Sequence, residues 1–193
     1  MSNVVVPAGA VNIALKQTGK FVKPLVEPRL QKEFKEIKEE MLSEFNIHPV
    51  TLELEAKTSA DPSAFVGRGS LFGFIGFDKN EEPTEIVREM LRSSELRFIR
   101  IKNEVVDFKV FYPSKEELFK ATPLPWASGR SWLKAIESGL SGLGRYLNIE
   151  NDSSRSGGGI QSEYTSRSGR FKATKYISQI LNNFTKKINK LSI

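Results

Sequence analysis

An apolar stripe between residues 30 and 45 is the feature that most constrains how this chain can fold. The five members recur at spacings of four, three, four and four, and they are Leu30, Phe34, Ile37, Met41 and Phe45. This spacing places them on one face of an α-helix over about residues 28–46, which Pro28 opens at a position that tolerates proline. A helix with one apolar face must bury that face, so the chain is expected to fold around a packed core.

The composition agrees with a packed core and excludes several chemistries. The chain has 193 residues, of which 39% are hydrophobic and 27% are charged, as expected for one domain and not for a disordered chain. It contains no cysteine, which excludes disulfides, thiolate metal sites and cysteine nucleophiles. The segment Met1–Leu15 lacks the basic start and unbroken apolar run of a signal peptide, and no segment has the length of a membrane span. We therefore expect a soluble protein that does not contact a membrane.

The predicted order of elements indicates a mixed fold. Residues 1–26 show no sustained period and are predicted to form an N-terminal arm, whereas residues 27–193 are predicted to form a single α+β domain with a flexible loop at 148–159. Strands are predicted at 50–56, 70–77, 96–102, 105–112 and 160–164, and further helices are predicted from Pro83, from Ser114, over 131–147 and after Thr174. The fold class is therefore predicted as α+β, with a mainly antiparallel sheet packed with two or three long helices and an extended N-terminal arm.

The residues needed for a recognisable active site are missing from the sequence. His48 is the only histidine, and without cysteine or paired carboxylates beside it, a structural role is expected. The glycines of 67–76 are not followed by the Lys-Ser/Thr pair of a phosphate-binding loop, and they do not follow a strand and open a helix. The segment Ser156–Gly159 has the composition of a linker. We therefore expect a non-enzymatic protein that holds no metal and no cofactor.

The positive charge is concentrated at the C-terminal end. Residues 160–193 contain seven Lys or Arg and a single acidic residue, Glu163, and so they carry the whole formal net charge of +6. Phe171 and Tyr176 lie among these cations, a pattern that could serve nucleic-acid binding, contact with an acidic protein, or plain solvation. The candidate contact residues are Arg167, Arg170, Lys172, Lys175, Lys186, Lys187 and Lys190.

Four segments resemble virion proteins of tailed bacteriophages. They are Gly69–Phe77, Pro125–Leu147, Arg155–Gln161 and Tyr176–Phe184. The nearest in appearance are small neck or tail-completion proteins of the head–tail junction. The resemblance covers roughly residues 65–190 and rests on packing motifs, so it carries no catalytic signature.

The resemblance implies an α+β subunit that assembles with copies of itself into a ring around the DNA channel. Its neighbours would be the adaptor, the tail terminator or the tail tube, with packaged DNA as a further candidate partner. The protein would be made in the host cytoplasm and reside in the neck or tail of the virion. Apolar residues of the arm would then contact a neighbouring subunit, and these candidates are Val4, Val5, Val6, Val11, Ile13 and Leu15. The alternative is a nucleic-acid-binding protein that uses the basic segment 160–193.

Overall fold

The fold is α+β, as predicted, and every strand pair found is antiparallel. The structure is a computed structural model that describes residues 10–16, 19–59, 70–102, 105–125, 127–138 and 175–191. The chain divides into two compact units. The first unit comprises residues 1–45, 88–117 and 178–193, and the second comprises residues 46–87 and 118–177.

Helix α1 (Gly19–Ile47) contains the predicted helix and begins nine residues before it. Val26 is buried and extends the apolar stripe by one further turn towards the N-terminus, which explains the earlier start. Pro24 and Pro28 lie inside the helix, on its exposed side, where carbonyls that lose their helical partner can bind water. The predicted boundary between arm and domain, at residue 26, therefore falls within α1.

The hairpin predicted around residues 103–104 is confirmed. Strands β2 (Glu95–Lys102) and β3 (Val105–Phe111) pair antiparallel, with a bulge between Phe98 and Arg100. On one face of β3, Val106, Phe108 and Val110 are fully buried, because alternate residues of a strand point to the same side. The turn residues themselves lie outside the described part of the chain.

The central strand β3 has a second partner that the sequence did not predict. Strand β1 (Ala10–Lys16) pairs antiparallel with β3, which gives a three-stranded sheet in the order β1-β3-β2. The prediction that residues 10–16 belong to an arm without strand period is therefore wrong. The physical reason is that a short edge strand is defined by its pairing partner, and that partner lies far away in the sequence.

The long helix α1 contacts the β2 side of the sheet through its polar residues. The Gln31 amide donates a hydrogen bond of 3.0 Å to the Leu96 carbonyl. The Lys38 ammonium donates to the carbonyls of Arg92 and Ser94, each at 3.1 Å. Arg92 is the last residue of helix α4 (Pro83–Arg92), and Ser94 immediately precedes β2. The last carbonyls of a helix have no hydrogen-bond donor within the helix, and Lys38 provides one here.

The predicted C-terminal helix is confirmed as α7 (Ile177–Ile188), and its greater part packs in the first unit. The Phe184 ring meets the Phe34 ring edge-on at 6.3 Å and the Tyr112 ring at 5.3 Å between centroids. Asn183 donates to the Glu44 carboxylate at 2.7 Å, and Lys187 donates to that of Glu40 at 2.6 Å. The helix is therefore part of the core of this unit.

In the second unit, residues 49–56 form helix α2 (Pro49–Ala56), so the predicted strand at 50–56 is wrong. Val50, Thr51 and Leu54 are buried, and they share one face only if the segment is helical. Leu52, which a strand would place beside Leu54, is 52% exposed. The alternation of the sequence fitted a strand because seven residues are too few to separate the two periods. A 3-10 turn (Lys57–Ser59) follows α2.

The strand predicted at 70–77 is also wrong, because the segment forms helix α3 (Leu71–Ile75). The Ser70 hydroxyl accepts the Gly73 N–H at 3.1 Å and caps the start of the helix. Gly76 ends it in the left-handed conformation (φ 90°), which costs glycine little. Leu71, Phe72 and Ile75 are buried on one face. A short apolar run is consistent with either element until its caps are recognised.

The helices predicted from Pro83, from Ser114 and from residue 131 are present where the structure describes them, whereas a small two-stranded hairpin before the last of these helices was not predicted. The capping box forms at α5 (Lys115–Ala121), where Ser114 and Glu117 each accept the other's N–H. A small hairpin of β4 (Pro123–Leu124) and β5 (Ala127–Ser131) leads into α6 (Trp132–Ser138). The rest of the helix predicted at 131–147, the loop at 148–159, the strand at 160–164 and the cap at Thr174 lie outside the described residues.

The helical form of residues 49–56 can be tested with two matched substitutions. Leu54→Ala is expected to lower the free energy of unfolding by roughly 2–5 kcal/mol, because it leaves a cavity. Leu52→Ala is expected to change it by less than about 0.5 kcal/mol, because that side chain is largely in water. Urea denaturation of both variants measures the difference. Equal losses would instead indicate that both leucines share the buried face of a strand.

Candidate functional site

His48, the only histidine, caps a helix. Its Nδ1 accepts the Val50 N–H at 3.2 Å, which caps α2. Its ring lies 4.5 Å from the Tyr176 ring between centroids. The Tyr176 hydroxyl is in turn within 2.6 Å of the Thr51 hydroxyl, in a buried hydrogen bond. The imidazole thus links α2 to the residue that precedes α7 within the second unit, which is the structural role predicted for it.

The described residues bring together no group with evident reactivity. Among them, no set of three or more His, Asp or Glu side chains could hold a metal ion. Nor does any helix in the described ranges have the length and apolar character needed to cross a membrane. The buried hydroxyl groups of Thr51 and Thr122 are both hydrogen-bonded, to Tyr176 and to the Leu118 carbonyl respectively.

The predicted basic contact residues are only partly described. Arg167, Arg170 and Lys172 lie outside the described residues. Lys175, Lys186 and Lys190 are exposed to solvent. Lys187 also reaches the surface, but it is paired with Glu40, so its charge is partly neutralised within the chain. The described part of the basic segment therefore presents separate cations, of which Lys186 and Lys187 lie on α7 and Lys175 and Lys190 lie just outside its two ends.

The predicted interface residues of the arm are also only partly described. Val4, Val5 and Val6 lie outside the described residues. Val11, Ile13 and Leu15 lie on β1, where they are paired in register with Val110, Phe108 and Val106 respectively. Their backbone thus already pairs within the chain, in the three-stranded sheet.

The second face of that sheet carries charges that the sequence did not single out as a site. We call it the polar face, and it includes Glu95, Arg97, Arg100, Asp107, Lys109 and Phe111. Lys16 of β1 and Lys102 of β2 are both paired in register with Val105, two positions before Asp107. Arg97 forms an ion pair with Glu95. The Arg100 guanidinium donates to the Asp107 carboxylate at 3.0 Å. Both arginines are therefore already neutralised by a carboxylate of the same face.

Lys109 lies on the polar face beside the Phe111 ring. The residue as a whole is 7% exposed, and the one buried side-chain polar atom without a hydrogen bond in the described part of the chain is the Ser94 hydroxyl oxygen, not the Lys109 ammonium. The Lys109 ammonium lies 5.2 Å from the centroid of the Phe111 ring, and the Arg97 guanidinium lies 5.1 Å from the same ring. The register places Lys109 opposite Arg97 on β2 and opposite Asn12 on β1. It therefore lies at the centre of the sheet.

One signal in the sequence could have led to Lys109. In the predicted strand 105–112, the alternation places Asp107, Lys109 and Phe111 on the face away from the apolar residues. A charged residue at the middle of a hairpin strand with an aromatic two positions later is a visible pattern. What the sequence could not show is that β1 would add a third strand and leave Lys109 in the central position.

Large apolar side chains are exposed in both units. In the first unit, Leu25 is 77% exposed, and Ile99 and Ile101 on the edge strand β2 are 46% and 38% exposed. In the second unit, Ile47 is 67% exposed, and the others are Leu52 and Ile86. Apolar groups of this size gain free energy when another surface covers them.

No family model, curated protein or solved structure is significantly similar to this chain. Its function is therefore inferred from its residues and from the surfaces described above.

The capping role of His48 can be separated from its other contacts by two substitutions. His48→Ala is expected to lower the free energy of unfolding by about 1 kcal/mol relative to His48→Asn, because asparagine can also accept the Val50 N–H. Both variants lose the ring contact with Tyr176, so the difference between them reports the cap alone. Thermal and urea denaturation provide the measurement. If alanine and asparagine are equally stable, the cap contributes nothing.

Proposed function

We propose that this protein is a non-enzymatic structural subunit of a tailed-bacteriophage virion. It would form part of the neck or tail-completion ring that joins the head to the tail around the DNA channel. The resemblance of the segments Gly69–Phe77, Pro125–Leu147, Arg155–Gln161 and Tyr176–Phe184 to such proteins is the origin of the proposal.

The observation that supports an assembly role best is the exposure of large apolar side chains on regular elements. Leu25 and Ile47 both lie on α1, and each exposes more than half of its surface to water. Covering such a side chain contributes roughly 1.5–3 kcal/mol when burial is complete. A subunit that works in an assembly can gain this free energy from its neighbours, whereas a protein that works alone cannot.

The chemistry of the described residues points the same way. They hold no candidate metal site, and the one histidine is used as a helix cap. The buried polar groups Thr51 and Tyr176 bond to each other. Side chains used in this way stabilise a fold and leave surfaces, not reactive groups, as the means of action.

The segments that resemble phage proteins supply core residues. In Tyr176–Phe184, the buried side chains are Tyr176, Ile177, Ile180, Leu181 and Phe184. In Gly69–Phe77, they include Leu71, Phe72 and Ile75. The resemblance therefore concerns how the subunit is packed. The choice of neighbours (further copies, the adaptor, the tail terminator or the tail tube) must depend on the surface.

A free nucleic-acid-binding protein that uses segment 160–193 has less support. In the described part of that segment, Lys187 is paired with Glu40 and one side of α7 is buried. Binding to the phosphate backbone depends on several unpaired cations that release counterions together. Lys175, Lys186 and Lys190 remain exposed, and in a ring they could face either the channel or an acidic neighbour.

The location in the virion can be measured directly. Antibodies against the purified protein, labelled with gold, are expected to mark the head–tail junction of particles of the virus that encodes it. Lysates lacking the protein are expected to contain heads and tails that are not joined. Labelling of the capsid surface, or absence of the protein from purified particles, would contradict the proposal.

The contribution of the N-terminal residues to assembly needs a deletion that spares the sheet. Removing residues 1–9 stops before β1, and the shortened protein is expected to keep the thermal unfolding of the full chain but to join heads and tails less efficiently. Removing residues 1–16 also deletes β1 and is expected to lower the unfolding temperature, because β3 loses one of its two partners. Normal assembly by the first variant would show that residues 1–9 make no contact that matters.

A further inference from the structure

We propose that the outer edge of strand β1 (Ala10–Lys16) binds the same edge of a second copy of this chain, antiparallel and about a two-fold axis at Ile13. The inference goes beyond the neck proposal and does not depend on it. It starts from a difference between the two edges of the three-stranded sheet: the β2 edge is protected against further strand pairing, and the β1 edge is not.

The β2 edge has the features by which natural proteins prevent a further strand from pairing. Four of the eight residues of β2 are charged, and they are Glu95, Arg97, Arg100 and Lys102. A bulge interrupts the register between Phe98 and Arg100. Helix α1 also contacts this strand, because the Gln31 amide donates to the Leu96 carbonyl at 3.0 Å. A partner strand on this side would therefore meet charges, a bulge and a helix.

The β1 edge differs in each of these respects. Its seven residues pair with β3 without a break in register, and they include no proline and one charge, Lys16, at the end of the strand. Within the described part of the chain, β3 is the one strand that pairs with β1. Every second residue of an antiparallel edge strand points its N–H and C=O away from the sheet. The outer side of β1 therefore offers a row of donors and acceptors to another strand.

A second copy of β1 fits this edge because the strand is complementary to itself. The register places the larger apolar residues of β1 on the face of the sheet that holds the buried residues of β3, and they are Val11, Ile13 and Leu15. An antiparallel pair centred on a residue keeps every side chain on its own face, and a centre at Ile13 uses all seven residues. Val11 then lies opposite Leu15 of the second copy, so the apolar face continues from one copy into the other.

The charge of β1 also favours this arrangement. In an antiparallel pair centred on Ile13, Lys16 lies opposite Ala10 of the second copy. The two lysines are then at opposite ends of the pair, about 20 Å apart, where salt screens their repulsion. A parallel pair in register would instead place the two lysines side by side, which like charges disfavour. The partner is therefore a second copy in the antiparallel direction, which is a two-fold contact.

The pairing can be tested by placing a charge opposite Lys16. Ala10→Glu is expected to strengthen dimer formation by about 3- to 10-fold, because two opposite-charge pairs form, and Ala10→Lys is expected to weaken it by a similar factor. Within one chain the two positions lie about 20 Å apart, so neither substitution acts on the lysine of its own copy. Sedimentation velocity of the purified full chain over a range of concentrations measures the dissociation constant. Adding Lys16→Ala to the Ala10→Glu chain is expected to remove the gain.

A single cysteine can locate the two-fold axis, because the chain contains no cysteine of its own. Ile13→Cys is expected to give a disulfide-linked dimer under mild oxidation, since the two copies of this position face each other. The matched control is Val11→Cys on the same face, whose two copies would lie about 14 Å apart along the strands, beyond the reach of a disulfide. Thermal unfolding of both reduced variants detects any loss of stability. The charge variants leave the apolar face unchanged, so they test the pairing independently of such a loss.

Three outcomes would overturn the inference. The first is a wild-type chain that stays monomeric at every soluble concentration, the second is equal association of the Ala10→Glu and Ala10→Lys chains, and the third is equal crosslinking of the two cysteine variants. The neck proposal fails separately. Gold labelling at the head–tail junction by a protein that does not pair would refute the pairing alone, whereas a paired protein that is absent from purified particles would refute the neck proposal alone.

Discussion

The pairing of two strands with β3 is the constraint on which the first unit depends. β1 and β2 each pair with β3, and Val106, Phe108 and Val110 on β3 are fully buried. Helix α1 meets this sheet at the Leu96 carbonyl of β2, and α7 meets Tyr112, the residue that follows β3, through Phe184. A change in the register of β3 would exchange its apolar and polar faces, so both the core and the position of Lys109 follow from the same pairing.

The short helices of the second unit depend on N-terminal caps. Helices α2 and α3 have eight and five residues, which is too short for a helix to be stable by its own hydrogen bonds. His48 and Ser70 each accept an N–H at the start of one helix, and a buried face fixes each helix in place. The buried bond between Thr51 and Tyr176 then ties α2 to the chain that enters α7. Polar residues of this unit are thus used to end and connect short elements.

This use of polar groups bears on function. The histidine caps a helix, and the buried hydroxyls of Thr51 and Thr122 are committed to internal hydrogen bonds. Side chains used in this way stabilise the fold, so the proposed assembly role rests on the exposed apolar side chains.

The sequence by itself determined the elements whose pattern is long or whose caps are explicit. The stripe of α1, the hairpin of β2 and β3, the Ser114–Glu117 capping box and the apolar side of α7 were all predicted, because each repeats one period over several turns or carries its own start signal. The α+β class followed from their order.

Only the tertiary structure decided the short elements and the candidate site. Residues 50–56 and 70–77 contain too few residues for strand and helix periods to differ, so burial and capping made them helices. Residues 10–16 form a strand because they pair with β3. The burial of Lys109 depends on the strands to either side of it. Pairing and burial depend on the residues that the fold brings into contact, which can be distant in the sequence. A sequence pattern reflects only the neighbours along the chain.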